Sequence, residues 1–443
     1  MKIKHRIVVV GGGAGGLELA TRLGNRYGRR RKDQRAAITL VDRHVSHLWK
    51  PLLHEVASGS MDPLVHSVDY AAQAYWHGFD FCHGALSGLD RMARRITVEQ
   101  VVNDQGQEIF PARTIEYDTL IIALGSTTNF FGVAGAEKYS FALDTVEEAE
   151  RFRQSLLAAC VRADNAGSTK KEKPVKIAIV GGGATGVELA AELRQTAHVL
   201  SVYGLHRLDP VHDIGITVVE AGDRILSTLP KRVSDSAAQI LKGYDIDIAI
   251  KEQVTEVAPD GLHTAQGHFF EANLIVWAAG IKALPLLSKL DGLAIGKRGQ
   301  VMVTPTLQAE NDDTIFALGD CAQCAWHGSD SWVPPRAQAA HQQASFLVRV
   351  MDLRLRRGQD AALPVFRYKD FGSLVSLGRL GATGNLMGRL IGGRIFVDGI
   401  LARMMYVSLY RMHTVALHGW WRTCIDVIAN LLRKSISPKV KLH

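Results

Sequence analysis

Two ten-residue stretches place glycines where only backbone can approach a ligand. Gly11–Ala20 reads GGGAGGLELA and Gly181–Ala190 reads GGGATGVELA, eight of ten positions alike at an offset of 170 residues. Each follows a β-branched run, Ile7–Val10 or Ile177–Val180, and opens a helix-forming stretch. A second strand then ends in acid: Asp42 with Arg43 beside it after Ile38–Val41, and Glu220 after Ile216–Val219. In such a unit the first glycine allows a tight turn and the second lets backbone N–H groups close on a pyrophosphate. The third permits helix and strand to pack closely. The predicted contacts are Gly11, Gly13, Ala14, Gly15 and Gly16 at one site, and Gly181, Gly183, Ala184, Thr185 and Gly186 at the other. The helix N-terminus supplies partial positive charge to the phosphates, and the acids would accept from ribose hydroxyls. One GxGxxG is weak, and the bland alternative is a glycine-rich turn with no ligand. Two with the same flanks are a strong signal for two dinucleotides.

The acids stand 26 and 34 residues past the third glycines, beyond the usual ~20, so Gly28–Gln34 and Gln195–Asp213 are expected as surface loops. Tyr117–Ser126 and Asn273–Ile281 read as apolar strands ending in small-x-Gly turns, placing Ala123, Gly125, Ala279 and Gly280 to close the two sites from the second half of each sheet. Thr314–Asp320 is a strand, a glycine and an acid, expected to open a helix; Asp320 would hold a sugar-like linker or simply cap that helix. Asp144–Lys173 reads as a helix and charged linker, with Cys160 a packed helix residue. The expected fold is α/β: two Rossmann-like dinucleotide-binding domains, the second inserted in the first. Residues 1–143 and 301–380 form the first, 144–173 connect, 174–300 form the second, and 381–443 follow as a C-terminal region.

The 443 residues at roughly 150 per domain suggest about three units, and five cysteines are too few for a disulfide framework. The start of the chain does not read as a signal peptide and no apolar run of about 18 occurs, so a cytosolic chain, or one on a surface facing the cytosol, is expected. The net charge of +8 is uneven. Residues 400–443 carry seven Arg and Lys against Asp426, a local +6. A nucleic-acid binder would spread its charge along a face, so that class is disfavoured. Trp421, Cys424, Ile425, Ile428, Leu431 and Leu432 share one helical face, with Arg422, Asp426, Asn430, Arg433 and Lys434 largely opposite. With Trp420 and Trp421 at a headgroup level, this predicts a helix lying in a membrane interface. A dimer interface, or packing on the protein's own core, would use the same pattern.

Longer segments carry a resemblance. They include VDRHVSHLWKPLLHEVASGS (41–60), VVEAGDRIL (218–226), WAAGIKA (277–283), ALGDCAQC (317–324), PPRAQAAHQ (334–342), YKDFGSLVSL (368–377) and SLYRMHTVALHG (408–419). Over essentially the whole chain the sequence resembles flavoproteins with two dinucleotide-binding domains (the disulfide-reductase-like FAD/NAD(P) fold), most closely bacterial type II NADH:quinone oxidoreductases. The resemblance implies non-covalent FAD at the first site, NADH at the second, a membrane quinone (ubiquinone or menaquinone) as acceptor, and a place on the cytoplasmic face of the inner membrane. The residues separately favour NADH over NADPH, since Glu220 would repel a 2′-phosphate.

Related disulfide reductases keep cysteines after the first acid or in the nicotinamide domain; here Leu48–Gly59 and residues 174–300 have none. Cys321 and Cys324 form a CxxC expected at a helix start: structural thiols, or a redox-sensitive pair whose pKa the helix lowers. A metal site is the weaker reading, with His327 the nearest further ligand. The resemblance places Glu188 near the nicotinamide; it could also face a quinone tunnel, or be an acid favoured by the helix dipole. Pro334–Gln342 is expected to open a helix with proline in its first turn. Its N-terminus would stabilise negative charge near flavin N1 and O2, and Ala337 of this segment is expected among the FAD contacts. Gln338 and Gln342 share a face of that helix, beside the quinone head group by resemblance, where their amides could donate to its carbonyls. Lys369 and Lys50 could add positive charge near the flavin. Two rival functions share these features, a sulfide:quinone oxidoreductase and a redox-responsive binding protein that holds FAD and NADH.

Overall fold

The computed structural model describes residues 4–32, 34–166, 174–377, 382–387, 394–398 and 411–434. β1 (His5–Val10) runs into α1 (Ala14–Tyr27) and β2 (Ala36–Asp42), followed by α2 (Leu53–Ser58), β3 (Asp80–His83) and β4 (Thr119–Ile122). α3 (Val146–Ala166) leads to a second unit of β5 (Val175–Val180), α4 (Ala184–Tyr203), β6 (Ile214–Glu220), β7 (Asp247–Ile250) and β8 (Leu274–Trp277). The chain returns through β9 (Val301–Val303), β10 (Gln308–Ala309), β11 (Asp312–Ala317) and β12 (Ala322–Cys324) to α5 (Ala337–Arg357). After residues 411–418, which are helical, comes α6 (Trp420–Lys434).

The strands gather into two main sheets. One has the order β12-β9-β10-β11-β4-β1-β2-β3, the other β7-β6-β5-β8. In the first, β1 lies between β4 and β2 and all three run parallel. Ile7–Val10 are wholly buried, as a parallel strand covered on both faces must be. Each such Val or Ile contributes about 1.5–3 kcal/mol by leaving water. The second sheet is parallel throughout. Between β4 and β11, neighbours in the first sheet, the chain completes the entire second sheet.

A small ribbon joins the two units. Ser126–Thr128 pairs antiparallel with Ile281–Ala283, Ser126 opposite Ala283 and Thr128 opposite Ile281. These segments leave the two small-x-Gly turns, so the turns that back the two glycine motifs are stitched together. A three-residue strand has no pattern of its own, and this pairing exists only through tertiary contact.

Several local expectations change. α4 continues to Tyr203, so the first part of Gln195–Asp213 is helix. Arg194 explains the rest: its buried guanidinium donates to the carbonyls of Ile214, Tyr244 and Asp245, pinning the return of the chain. Asp320 opens no helix. Gly319–Cys321 is a single 3-10 turn that runs into β12. Pro334 and Pro335 precede α5, whose N-cap position is held by Arg336 with no side-chain capping bond. α3 carries Cys160 buried, while the charged linker at 167–173 lies outside the described residues.

The end of the chain is only partly described. Within 411–418, His413 and Leu417 are buried, and Gln73 donates to the Leu417 carbonyl at 2.9 Å. α6 is different: Trp421 is 80% exposed and Leu432 67%, with Trp420, Ile425 and Ile428 exposed as well. Residues 400–410 and 435–443, also part of the expected anchor, lie outside the described residues.

Candidate functional site

The two glycine turns are superposable in their chemistry. Gly11 has φ +103° and Gly181 +109°. A Cβ on Gly11 would lie 2.3 Å from the Ala123 carbonyl oxygen, and one on Gly181 2.8 Å from the Ala279 nitrogen. The residues expected to close each site from the far strand are therefore the ones the turn rests on. Gly16 and Gly186 meet the carbonyl oxygens of Gly11 and Gly181 at 1.9 and 2.0 Å in the same construction. A Cβ at Gly13 or Gly183 would meet nothing within 4 Å. Each of these is the N-cap of its helix, with no side-chain cap and no acid in the first turn. The backbone donors of both helix starts thus face open space, and a pyrophosphate fits there.

Each strand-end acid grips its own turn. Asp42 accepts from Gly12 N at 2.6 Å and His44 N at 2.8 Å. Glu220 accepts from Gly182 N at 2.6 Å and Gly222 N at 2.7 Å. A carboxylate offers about four lone-pair sites, so each retains capacity for a ribose hydroxyl.

A cavity of about 2310 Å³ runs from the first turn to the 411–418 helix. It brings together Gly11, Gly13, Ala14, Gly15, Asp42, Arg43, Lys50, Ala123, Gly125, Asp320, Ala337, Gln338, Gln342 and Lys369 of the predicted site, with Ala184, Thr185 and Glu188 from the second unit. Gly16 is packed behind the first turn. Gly181, Gly183, Gly186, Glu220, Ala279 and Gly280 are not in the lining; the second turn reaches the cavity only through the start of α4.

The polar groups of the cavity wall are tied to one another. Lys50 Nζ lies 2.7 Å from Asp144 Oδ1 and 3.1 Å from the Ser126 carbonyl oxygen. Burial works against ionised Asp144, yet Lys50 and donors on Thr127 and Thr128 hold its carboxyl below the usual range. Asp320 accepts from Ser126 Oγ at 2.8 Å, and burial pushes its carboxyl up. The two glutamines do something sequence reasoning missed. Gln338 Nε2 donates to Asp370 Oδ1 and to the Gly372 carbonyl, both at 3.1 Å, and its oxygen accepts from Phe371 N. Gln342 donates to the Lys369 carbonyl at 2.8 Å and accepts from Lys369 N at 3.0 Å. Both side chains hold the 369–372 loop. Gln338 has no donor left for a substrate, which corrects the expectation that both amides are free to donate to a quinone; Gln342 keeps one N–H.

Glu188 is buried and accepts from Ser376 N at 2.9 Å. His54 on α2 lies 3.7 Å from its other oxygen. That ring is buried, which pushes its pKa down to about 4, so it is neutral beside Glu188. Cys321 and Cys324 are buried free thiols, and burial pushes both up to about 11. With no helix start at Asp320, the effect expected to lower their pKa is missing.

Comparison with known proteins separates fold from activity. A family model for pyridine nucleotide-disulphide oxidoreductases matches residues 5–344. Among solved structures, NDH2 from Plasmodium falciparum in complex with NADH aligns with TM-score 0.81 at 18% identity, covering 99% of this chain and 100% of that one. The sulfide:quinone oxidoreductase of Aquifex aeolicus aligns at 0.70, also at 18%, covering 99% and 96%. Such likeness shows the fold alone. The type II NADH:quinone oxidoreductase of Haemophilus influenzae is 40% identical over 449 aligned positions, 99% of each chain. The chain belongs to the type II NADH:quinone oxidoreductases. Within this family's frame, the groups that local patterns had not shown are the Ser126–Asp320 and Lys50–Asp144 links and His54. They are far apart in sequence and meet only in the fold.

Proposed function

We propose that the first glycine turn holds FAD and the second NADH, with the large cavity receiving the nicotinamide and the quinone at the flavin. The chain is an FAD-dependent enzyme that oxidises NADH and reduces a quinone. The observation that carries the division of sites is the pair of gripped, uncapped turns, of which the first opens fully into the cavity. When bound, FAD supplies the carrier that accepts two electrons from NADH and passes them to the quinone. The protein orients the parts. The α1 N-terminus and the Gly13 amide would hold the FAD pyrophosphate, Asp42 its adenosine ribose, and Asp320, steadied by Ser126, the linker to the ring. Asp144 fixes Lys50 at the wall between the units. The glutamines of α5 hold the 369–372 loop, so that Lys369 presents its ammonium at the cavity and the α5 N-terminus faces it with uncapped donors. Glu188, fixed by Ser376 N, faces the cavity from the second unit.

No described helix is long and apolar enough to cross a membrane, which supports a reaction without direct proton pumping. The exposed apolar face of α6 fits a peripheral hold on the membrane's cytoplasmic surface, where basic residues near anionic lipid add on the order of 1 kcal/mol each. A second copy of the chain could cover the same face. Deleting residues 420–443, which removes α6 and spares the 411–418 helix with its buried His413 and Leu417, should release the protein from membrane vesicles and leave FAD bound. If the truncated chain still pellets with vesicles, the surface lies elsewhere; if it only changes from dimer to monomer, α6 is a subunit contact. For the chemistry, NADH should bleach the flavin absorbance of purified protein, and a short-chain quinone should restore it over many turnovers. Bleaching without recolouring would refute quinone reduction.

A further inference from the structure

The face of α5 along the cavity carries Gln338, His341, Gln342, Ser345 and Arg349, spaced by three and four as one helical face requires. The glutamines are occupied with the 369–372 loop. His341 is turned to a different purpose. Its Nδ1 lies 2.7 Å from Glu18 Oε2 on α1. Glu18 is wholly buried, and its other oxygen accepts from Arg22 Nη1 at 2.8 Å. A buried carboxylate without partners would be costly; this one is satisfied across the α1–α5 seam. Because an ionised carboxylate only accepts, His341 must donate from Nδ1, which leaves Nε2 as the group that exchanges protons. The ring is still 40% exposed and lines the cavity.

Glu18 also has a counterpart in the second glycine motif. It stands two residues past Gly16, as Glu188 stands two past Gly186, so the two are equivalents in the repeat. We propose that the Glu18–His341 pair supplies the solution proton that quinone reduction consumes. The inference rests on the reading of this chain as a quinone reductase. A quinone becomes quinol by taking two electrons and two protons. NADH gives up two electrons and one proton as a hydride, and the second proton comes from water. In that step the His341 Nε2–H bond breaks, its electron pair stays on the ring, and a quinone oxygen lone pair forms the new O–H bond. Glu18 remains ionised, and the ring takes a new proton from water in the cavity.

The surroundings agree with this role. The hydrogen bond to Glu18 raises the proton affinity of His341, burial and Arg22 oppose it, and the Coulomb attraction of Glu18 adds to the rise. The charged or titratable groups facing the pair are Arg22 from α1, Arg349 from α5 itself, and His413 from the 411–418 helix with its partner His47. Burial keeps the last two neutral, at about 3 and about 4, so neither competes for the proton near neutrality.

The test separates the two half-reactions in FAD-loaded protein by stopped flow. His341→Gln should bleach with NADH within about twofold of wild type, while recolouring by a short-chain quinone slows on the order of 100-fold. Recolouring of His341→Ala should be restored in part by added imidazole, which a merely structural role would not allow. Glu18→Gln should move the pH of half-maximal recolouring down by about one unit; if that variant loses FAD, His341→Gln still decides the matter. The proposal is overturned if His341→Gln recolours at the wild-type rate from about pH 6 to about pH 9, or if bleaching falls as much as recolouring. Wild-type protein that bleaches but never recolours would overturn quinone reduction itself, a distinct failure.

Discussion

At the first glycine turn, Tyr70 donates its hydroxyl to the Gly12 carbonyl at 2.8 Å, and the chain beyond Asp42 goes on to His47, which meets the C-terminal helices. At the second, Leu226 N returns to the Gly182 carbonyl at 2.7 Å, so the chain beyond Glu220 folds back on its own turn. The backbone solution for a pyrophosphate is shared between the two sites; what surrounds it is not. The glutamates two residues past the last glycine show the same divergence. Glu18 is spent on His341 across a helix seam and on Arg22 of its own helix, whereas Glu188 holds the 376 amide beside neutral His54. A duplicated motif conserves geometry, and the neighbours decide which ligand it holds and what else reaches it.

The harshest way to break this comparison is to fill the tightest glycine of each turn. Gly16→Ala should abolish FAD binding and destabilise the first sheet, because its Cβ would stand 1.9 Å from backbone. Gly186→Ala, at 2.0 Å, should damage the second turn alone. Flavin absorbance per chain and bleaching by NADH read the two out: flavin absent in the first variant, present but unbleached in the second. Equal loss of flavin in both would mean that the turns do not divide the ligands.

A smaller effect tests the neighbour that only the first site has. His47 Nε2 and His413 Nε2 lie 3.1 Å apart, with Trp49 stacked on His413. Burial pushes the rings down to about 4 and about 3, below the unfolded value near 6.5. The unfolded chain therefore binds more protons between those limits. This stabilisation is complete above about pH 6.5 and is lost as pH falls toward 4, by up to about 1.4 kcal/mol per unit for each ring. Hydrogen exchange of 411–418 should rise between about pH 7 and about pH 5 in wild type, and His47→Phe should flatten that dependence. An unchanged slope in the variant would remove the pair as its cause. The smallest effect is expected at the thiols. With both held near 11, Cys324→Ala should leave quinone reduction within about twofold, and alkylation of Cys321 and Cys324 themselves, read by mass at each position apart from half-buried Cys82 and Cys424, should be slow. Rapid alkylation of either at neutral pH would contradict the burial.

The glycine turns, their acids and the strands before them were legible because each is a local pattern: a period, a φ that needs glycine, a carboxylate at a strand end. The 126–128/281–283 ribbon was not, since its strands are three residues long and find each other across more than 150 positions. Nor could local pattern show that Gln338 spends its amide on Asp370 and Gly372, or that His47 meets His413, 366 residues away. The helix expected after Asp320 failed for a physical reason. An acid after glycine suggests an N-cap, but Ala322–Cys324 is taken up as an edge strand beside Val301–Val303, and sheet pairing outweighs a single capping signal.

If the two turns hold different nucleotides, Glu220→Gln should weaken one of them and spare the other. The variant removes the charge of the second acid and one of the two oxygens that accept from Gly182 N and Gly222 N, without touching the first site. The rate of flavin bleaching is measured against NADH concentration in wild type and variant. The variant should keep its full flavin content and an unchanged limiting rate, with half-saturation moved roughly 10-fold or more to higher NADH, the loss expected for a hydrogen bond to a charged group. Unchanged half-saturation, or loss of flavin from the variant, would contradict that division between the turns.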